Sequence, residues 1–384
     1  MKRKFPIETF NSLVTPFYYY DTNILEDTLQ ALIKEADKYN YHIHYAIKAN
    51  ANPRILSIIS KYGLGADCVS GGEIHAALNA GFPSDKIVFA GVGKDDWEIN
   101  LGLDNDIFCF NVESIPELEV INDLAKNKGK CAQIALRINP EVDAHTHRHI
   151  TTGKKENKFG INLDQLEKVL DRLTDLDAVR LIGIHFHIGS QISGMKPFIR
   201  LCKRTVKILE QFSKYGIKID HINFGGGLGI DYENPDENLI PDFKTYFEIF
   251  NTFLKAEPYQ QIHFEPGRSI TGQCGSLISK VLYVKEGSFK KFVILDAGLT
   301  ELIRPAMYGA YHQIENLSSE AMEETYDVVG PICESSDCFA KAIKLNKTER
   351  GDLVALRSAG AYGEVMASQY NSRNLPKVYF SDLI

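Results

Sequence analysis

Short apolar segments alternate with helix-like stretches along the first 270 residues of the chain. Most of these segments are near-continuous runs rich in Val, Ile, Phe or Tyr, which is typical of parallel strands buried on both faces. The stretches between them repeat apolar residues at helical spacing and begin with capping signals such as Asn52–Pro53 and Ser114–Glu117. We predict strands at His42–Ala46, Ala66–Val69, Ile87–Ala90, Ile107–Phe110, Ile134–Ile138, Leu181–His187, His221–Phe224 and Gln261–Phe264.

Eight strands that alternate with helices over about 225 residues favour a (β/α)8 TIM barrel, which typically needs about 250 residues. A doubly wound parallel sheet is the alternative. No G-x-G-x-x-G motif follows the first strand, however, and this motif is the mark of the dinucleotide-binding form of that fold. We therefore predict the barrel.

The pattern changes after Arg268, where short alternating segments are separated by turn residues. This pattern indicates a C-terminal all-β domain, and the strand-like segment Thr15–Asp21 is expected to join it. The acidic segment Glu315–Thr325 is expected to be a surface loop or a short helix. The predicted domains are 1–30, which joins the β domain, the barrel at 31–270, and the β domain at 271–384. The expected strands of the β domain are Leu277–Lys285, Lys291–Leu295, Tyr326–Val329, Asp352–Leu356 and Lys377–Phe380.

Composition narrows the classes of function. The 384 residues include 50 acidic and 43 basic side chains, and the net charge of −7 disfavours non-specific nucleic-acid binding. The 7 cysteines are scattered without a C-x-x-C pair, which favours free thiols in a reducing compartment. We find no secretory signal and no apolar run of roughly 18 residues, so we expect a cytoplasmic protein that does not bind membranes.

Polar residues and glycines fall at the predicted strand ends, where barrel enzymes carry their active sites. We therefore expect these residues to face one another on one rim of the barrel. They are Lys48, Asp67, Ser70–Glu73, Arg137, Asn139, His185, His187, Gly225–Gly227 and Glu265.

Lys48 lies in the weakly polar stretch Tyr45–Asn50, where a partly desolvated amine is suited to Schiff-base formation. The alternative is a surface lysine whose stem covers apolar neighbours. The run Gly225–Gly229 after a strand offers backbone N–H groups to a phosphate, although such a run is often only a loop. Since Lys48 is predicted on the same rim, the two features together indicate a phosphate-bearing cofactor.

Glu265 and His187 suggest which cofactor this is. If Lys48 holds pyridoxal phosphate (PLP), Glu265 facing the pyridine nitrogen would keep it protonated, and the ring would act as an electron sink. The alternative for Glu265 is an ion pair with Arg268. His187 is suited to stacking on the face of an aromatic cofactor.

Two groups of histidines are candidate metal ligands, the pair His185 and His187 and the run His145–His149. Neither has a matching set of Cys or carboxylate ligands at the required spacing, so we predict no metal site. In the β domain, Cys333, Arg304–Tyr308 and Tyr362 stand out only weakly, because a single Cys is usually an inert small apolar residue.

The motifs as a set resemble the diaminopimelate decarboxylase family, which are PLP enzymes with an alanine-racemase-like barrel. The match runs in order from about residue 15 to 380. Further similarity lies at Thr146–His147, Lys158–Gly160 and Tyr370–Arg373. The main motifs are Tyr45–Asn50, His185–Gln191, Gly225–Gly229, Glu265–Arg268, Arg304–Tyr308, Cys333–Ser335 and Gly360–Gly363.

The resemblance implies decarboxylation of meso-2,6-diaminopimelate at its D-centre to L-lysine and CO2, with Lys48 and Cys333 as catalytic residues. Lys48 would carry PLP, and Cys333 would protonate the carbon that loses CO2. A head-to-tail homodimer is also implied, in which Cys333 and Glu334 complete the partner's site. The implied cofactor-binding residues are Lys48, Asp67, His187, Ser190, Gly225, Gly226, Gly227, Glu265, Gly267, Arg268 and Tyr362. The implied substrate-binding residues are Arg268, Arg304, Tyr308, Glu334 and Tyr362.

Three alternatives remain open. A decarboxylase of ornithine, arginine or a carboxylated polyamine could use the same fold, but its substrate would need fewer carboxylate-binding arginines. A non-catalytic PLP-binding protein would match the barrel alone, whereas this chain continues for roughly 110 residues of β domain. An aldolase that forms a Schiff base through Lys48 without a cofactor would be colourless.

Overall fold

The computed structural model describes residues 5–142 and 158–384, and the chain divides into two compact units. The barrel unit comprises Leu29–Gly229 and Asp242–Gly267. The β unit comprises Met1–Thr28, Ile230–Pro241 and Arg268–Ile384. The histidine run His145–His149 and the motif Thr146–His147 lie outside the described residues.

The secondary structure of the described residues follows the alternation in the sequence. The strands are β1 (Phe17–Tyr20), β2 (His42–Ala46), β3 (Gly65–Cys68), β4 (Ile87–Phe89), β5 (Cys109–Val112), β6 (Ala132–Arg137), β7 (Val179–His185), β8 (His221–Asn223), β9 (Gln261–Phe264), β10 (Gly275–Glu286), β11 (Lys291–Leu295), β12 (Ile314–Asn316), β13 (Glu323–Val329), β14 (Cys338–Asn346), β15 (Leu353–Leu356) and β16 (Lys377–Phe380). The helices are α1 (Ile7–Asn11), α2 (Thr22–Asp37), α3 (Pro53–Ser60), α4 (Gly71–Asn79), α5 (Asp96–Asp104), α6 (Ile115–Asn127), α7 (Leu166–Leu173), α8 (Lys196–Lys214), α9 (Phe243–Phe253), α10 (Arg268–Thr271) and α11 (Arg304–Tyr308).

Strands β2 to β9 form a closed parallel barrel in the described part of the barrel unit. The ring closes where β9 pairs with β2, with His42 opposite His263 and Ile43 opposite Phe264. The predicted (β/α)8 barrel is therefore confirmed, and the doubly wound sheet is excluded. Parallel closure places the C-terminal ends of all eight strands on one rim.

Capping residues begin the helices that return the chain between barrel strands. Asn52 starts α3 by accepting the amide of Arg54 at 3.0 Å. Ser114 starts α6 by accepting the amide of Glu117 at 3.3 Å. The Glu117 side chain accepts from the amide of Glu113 instead of that of Ser114, so the predicted capping box forms only in part.

The predicted barrel strands overlap the observed ones, and the largest shifts are at β5 and β7, which move by two residues at both ends. Strand β5 begins two residues later than predicted, because the amide of Ile107 still bonds the carbonyl of Gly102 in the turn that ends α5. Strand β7 begins two residues earlier, because Val179 already pairs with Ala132 of β6. Hydrogen bonding to a neighbouring segment, which composition does not reveal, sets both ends.

The β unit is built on an eight-stranded sheet within the described residues. Strand β1 pairs antiparallel with β10, where Phe17 faces Ile278, and parallel with β16, where Phe17 faces Lys377. Phe10, Phe17 and Tyr19 pack against Ile278 in a buried cluster. The N-terminal segment therefore joins the β domain, as predicted.

Strands β12 and β14 are absent from the sequence prediction. The expectation of a surface loop or short helix at Glu315–Thr325 is wrong at both ends, because β12 extends to Asn316 and β13 begins at Glu323. Strand β13 pairs with β14, and Thr325 lies opposite Lys344. Polar side chains are frequent on both strands, so the backbone ladder, and not apolar alternation, defines them.

Candidate active site

Lys48 lies in a single 3-10 turn, Ile47–Ala49, directly after β2. Its Nζ atom is 2.6 Å from Oδ2 of Asp67, which belongs to the neighbouring strand β3. The Asp67 side chain is fully buried, whereas the Lys48 side chain is 33% exposed. The amine is thus held at the strand ends by a carboxylate, and the lysine side chain remains partly exposed.

Asp67 is an unusual buried carboxylate. Its Oδ1 atom has no hydrogen-bond partner among the described residues. Burial raises the pKa of Asp67, the charge of Glu265 adds to this effect, and Lys48 opposes it. Since a buried polar atom without a partner is costly, Asp67 indicates a place where a ligand supplies a further donor.

Glu265 follows β9, and its carboxylate is buried on the same rim. It is 3.0 Å from Nε2 of His185, and it accepts a hydrogen bond from Nδ2 of Asn223 at 2.7 Å. Burial alone would raise the pKa of Glu265, but His185 and Lys48 outweigh it and hold that pKa well below its usual range. Glu265 is therefore an anion that is fixed in place inside the barrel unit.

The asparagines beside Glu265 were not selected by sequence reasoning. Asn223 ends β8, and Asn111 of β5 places its amide nitrogen 3.5 Å from the Glu265 carboxylate. Both side chains are buried. Each is a lone amide in an otherwise buried strand, and this is the sequence signal that could have identified them.

The turn Gly225–Gly227 follows β8 next to Glu265. Gly225 and Gly227 adopt φ values of +66° and +119°, and a Cβ on Gly226 would lie 2.4 Å from the Glu265 carbonyl oxygen. The amides of Gly225 and Gly226 already bond Asn223 and His187 at 2.9 and 3.4 Å. Only the amide of Gly227 makes no hydrogen bond with the described residues, so the turn offers fewer bare N–H groups than its sequence suggests.

His187 and Ser190 lie in the segment after β7, both half-buried. The 3.4 Å contact with the amide of Gly226 makes Nδ1 of His187 an acceptor and brings the ring beside the glycine turn. Burial lowers the pKa of His187 well below its usual value, and the charge of Arg137 lowers it further. A neutral imidazole at this position is suited to stacking on a flat ring.

Gly267 follows the last barrel strand, β9, and lies against the turn that carries Lys48. A Cβ at this position would lie 2.9 Å from Cβ of Ala49 and 3.0 Å from Cβ of Ala46. The absence of a side chain at Gly267 therefore lets the segment after β9 pack directly against the turn that carries Lys48.

Arg137 and Asn139 have structural partners on the rim. Arg137 pairs with Glu113 at 2.7 Å, and the other carboxylate oxygen of Glu113 accepts the amide of Gly160 at 3.0 Å. Nδ2 of Asn139 donates to the carbonyl of Phe159 at 2.8 Å. These residues hold the Lys158–Gly160 motif in place.

The β unit contains a separate cluster of cations. Arg268 begins α10 and Arg304 begins α11, and the two residues are only 6% and 5% exposed. Nη1 of Arg268 and Nη1 of Arg304 both donate to the hydroxyl of Tyr232, at 2.5 and 2.9 Å. Nη1 of Arg304 also donates to Nε2 of His312 at 2.9 Å. Tyr232 and His312 were missed from sequence, because neither lies in a recognised motif.

Two tyrosines of the predicted site accompany the arginines in the β unit. The guanidinium carbon of Arg268 lies 4.8 Å from the ring centre of Tyr362, whose φ is +56°. Tyr308 lies one helical turn after Arg304 in α11, so both side chains project from one face of that helix.

Cys333 and Glu334 lie on an exposed segment of the β unit. The amide of Cys333 donates to Oδ1 of Asn371 at 3.1 Å, and Glu334 accepts from the hydroxyl of Tyr370 at 2.7 Å. The predicted site residues thus fall into three groups: the lysine cluster of the barrel unit, the arginine cluster of the β unit, and this exposed pair.

The barrel-unit residues fit PLP. Asp67 Oδ1 and His185 Nδ1 are buried and have no partner among the described residues, and the amide of Gly227 also lacks one. PLP carries an aldehyde that would condense with the Lys48 amine, phosphate oxygens that would accept the Gly227 amide, and a phenolic hydroxyl and a ring nitrogen that could serve the buried polar atoms. In the part of the chain that the structure describes, no group of three or more His, Cys, Asp or Glu could hold a metal ion. No helix there is long and apolar enough to cross a bilayer.

The lysine cluster of the barrel unit fits PLP, and the family match assigns the chain to the class of PLP-dependent decarboxylases. The family model described as "Pyridoxal-dependent decarboxylase, pyridoxal binding domain" matches residues 24–272 of the chain. The cofactor predicted from sequence is therefore confirmed as PLP. The chain belongs to the diaminopimelate decarboxylase family of these enzymes, as its relatives show.

One such relative is the diaminopimelate decarboxylase of Bacteroides thetaiotaomicron, with 63% identity over 383 residues, 100% of this chain and 99% of the relative. The crystal structure of the Helicobacter pylori diaminopimelate decarboxylase complexed with L-lysine has a TM-score of 0.91 and 40% identity, and the match covers 97% of this chain and 93% of that one. The Vibrio vulnificus lysine/ornithine decarboxylase complexed with putrescine has a TM-score of 0.84 and covers 97% and 96%, but at 22% identity it shows the fold alone.

Proposed function

We propose that this protein decarboxylates meso-2,6-diaminopimelate at its D-centre and releases L-lysine and CO2, the last step of lysine biosynthesis. The observation that carries the proposal is the cluster of Lys48, Asp67 and Glu265 at the strand ends of the barrel. The substrate is supported by the names of the relatives and by the L-lysine bound to the Helicobacter pylori structure.

The barrel unit holds and tunes the cofactor in this proposal. The amine of Lys48 anchors PLP, and Asp67 stabilises the ammonium form of Lys48 whenever the amine is free. Glu265, kept ionised beside His185, holds a proton on the pyridine nitrogen. Bound PLP supplies an electron sink for the electron pair that remains when CO2 leaves. His187 covers a face of the ring, and Ser190 with the Gly225–Gly227 turn binds the phosphate.

The β unit binds the substrate carboxylate in this proposal. Arg268 and Arg304 are buried cations whose described partner in common is a neutral hydroxyl. Among the described residues, Arg304 has no carboxylate within ion-pair distance, so an anionic ligand would balance its charge. Guanidinium groups grip carboxylates with paired donors, and Tyr308 and Tyr362 add hydroxyl groups beside them.

Cys333 and Glu334 act across a homodimer interface in this proposal. Sγ of Cys333 gives its proton to the carbon that has lost CO2, and solvent restores the proton. Glu334 binds the distal ammonium group of the substrate. The exposure of both side chains in a single chain supports a role in the partner's site. We propose the cytoplasm as the location, because the cysteines are unpaired.

The activity is tested by following PLP absorbance and CO2 release in the purified holoenzyme. We expect a visible Schiff-base band and CO2 from meso-diaminopimelate, but little from ornithine, arginine or lysine. Lys48→Ala should lose the band and the activity, whereas the control Lys126→Ala, at an exposed ion pair with Asp177, should keep both. A colourless active protein would favour the aldolase, and faster turnover of ornithine would favour the alternative decarboxylase.

The shared site is tested by mixing two inactive dimers, Lys48→Ala and Cys333→Ala, under conditions of subunit exchange. Half of the redistributed dimers would be mixed, and each would contain one site with an intact Lys48 and an intact Cys333. We expect recovery of about a quarter of the native activity. No recovery despite verified exchange would place Cys333 and Lys48 of one subunit in the same site.

A further inference from the structure

Two buried guanidinium groups of the β unit, those of Arg268 and Arg304, lie close together at one neutral hydroxyl. Burial lowers the pKa of Arg304, Tyr232 partly offsets this effect, and the charge of Arg268 lowers the pKa further. Two cations at one hydroxyl repel each other and would separate unless other contacts held them. The acceptor that the two guanidinium groups share therefore contributes to their spacing before an anion binds.

The hydroxyl of Tyr232 is this shared acceptor. Its oxygen accepts from Nη1 of Arg268 at 2.5 Å and from Nη1 of Arg304 at 2.9 Å, which uses both of its lone pairs. No described residue accepts the hydrogen of this hydroxyl. The oxygen thus sets the spacing between the two guanidinium groups, and its own hydrogen stays available for an anion.

His312 fixes Arg304 from the other side. A carbonyl can only accept, so Nδ1 of His312 donates to the carbonyl of Arg357 at 2.8 Å. In the neutral ring, Nε2 is then an acceptor, and it receives Nη1 of Arg304 at 2.9 Å. Burial and the charge of Arg304 lower the pKa of His312 to about 3, which keeps this acceptor available near neutral pH.

Polar contacts on both sides of Tyr232 hold its segment in place. The carbonyl of Asp231 accepts Nε2 of Gln273 at 2.8 Å. The carboxylate of Asp236 pairs with Nη2 of Arg357 at 2.6 Å. Arg357 therefore holds the Tyr232 segment with its side chain and sets the tautomer of His312 with its carbonyl. The Tyr232 hydroxyl and Nε2 of His312, the two acceptors of the arginine pair, thus belong to one network within the β unit.

We infer that Tyr232, supported by His312, is a positioning residue that holds Arg268 and Arg304 as a clamp for the substrate carboxylate that remains in the product. This inference rests on the proposed function. Stabilising the other carboxylate as an anion would oppose its departure as CO2, so the clamp is better used on the retained group. Neutral acceptors suit this task, because a protein carboxylate at the same place would compete with the substrate.

The inference is tested with the holoenzyme variant Tyr232→Phe and two inhibitors. L-lysine carries the retained carboxylate, whereas 1,5-diaminopentane is the same molecule without it. We expect the inhibition constant of L-lysine and the KM for meso-diaminopimelate to rise roughly tenfold or more, since hydrogen bonds to two charged groups are lost. The inhibition constant of the diamine and the kcat should stay within about threefold of native values, a split that general loosening of the fold would not produce.

Tyr326→Phe is the matched control. Tyr326 is a buried tyrosine of the same unit, and its hydroxyl contacts Glu324 and the amide of Thr348. We expect no change in inhibition by L-lysine for this variant. If Tyr232→Phe weakens lysine and diamine equally, or weakens neither, the inference is overturned.

A second variant covers the case in which Tyr232→Phe does not fold. His312→Asn keeps an amide donor for the Arg357 carbonyl, but its shorter side chain ends before the position of Nε2 and so removes the acceptor that faces Arg304. A loss of affinity for L-lysine without a loss for the diamine supports the network, and an equal or absent loss overturns it. Failure of the proposed function would look different, because the native holoenzyme itself would release no CO2 from meso-diaminopimelate.

Discussion

Replacement of Glu265 by Gln tests whether a fixed negative charge controls the cofactor. The native carboxylate contacts His185 at 3.0 Å and Asn223 at 2.7 Å, and its pKa lies well below the usual range. Gln has nearly the same shape but cannot hold a proton on a pyridine nitrogen. The substitution therefore removes the charge while leaving the side-chain volume almost unchanged.

The expected magnitudes follow from these contacts. Loss of one charge-assisted hydrogen bond in a buried site costs about 1.5–3 kcal/mol of the free energy of unfolding. If Glu265 controls protonation of the bound ring, kcat should fall by about 10²–10⁴-fold, as when a positioned acid or base is removed. That range corresponds to roughly 3–5 kcal/mol in the activation free energy.

The assay compares visible PLP absorbance, kcat for CO2 release and denaturant unfolding. Glu117→Gln is the control, because Glu117 is another glutamate of the barrel unit whose side chain is only 9% exposed, and it pairs with Lys94 at 2.5 Å. We expect both variants to lose stability but only Glu265→Gln to lose turnover. A kcat within about threefold of native in a PLP-loaded Glu265→Gln enzyme would refute the reasoning.

The pH dependence of the same variant gives an independent check. The folded pKa of Glu265 is depressed, so its ionised form contributes stability above the unfolded pKa, and that contribution is lost as the pH falls toward the folded pKa. The stability difference between native protein and Glu265→Gln should therefore be largest near neutral pH. It should shrink below about pH 4.5, the ordinary value for a glutamate.

Two further predictions concern the glycine turn and a buried histidine. Gly226→Ala places a Cβ 2.4 Å from the Glu265 carbonyl oxygen, so PLP affinity measured by absorbance titration should fall by about tenfold or more, while Gly194→Ala, with open space around it, should have no effect. His312, with its pKa lowered to about 3, is neutral in the folded protein, whereas it gains a proton in the unfolded chain below about pH 6.5. The native protein should therefore lose stability relative to His312→Asn as the pH falls from about 6.5 to 4, by at most about 1.4 kcal/mol per pH unit. An equal stability difference between the two proteins at pH 7 and pH 4, measured by unfolding, would contradict this.

Much of the barrel and of its lysine cluster could be predicted from the local sequence. Continuous apolar strands separated by capped helices define a parallel α/β arrangement, and the strand-end rule places Lys48, Asp67 and Glu265 on one rim. These features could be predicted because each depends on residues a few positions apart. The same logic failed for β12 and β14, whose polar strands are stabilised by distant partners.

The sequence by itself determined the succession of strands and helices, the residues at the strand ends and the set of motifs that marks the family. Only the tertiary structure decided that Tyr232, from the segment between β8 and α9, bonds Arg268 and Arg304, or that Asn223 and His185 flank Glu265. The physical reason is the distance along the chain over which each kind of interaction acts. Periodicity and capping act over one or two turns of chain, whereas a buried charge is stabilised by whichever polar groups the packed fold brings within about 3 Å, however far apart they lie in sequence.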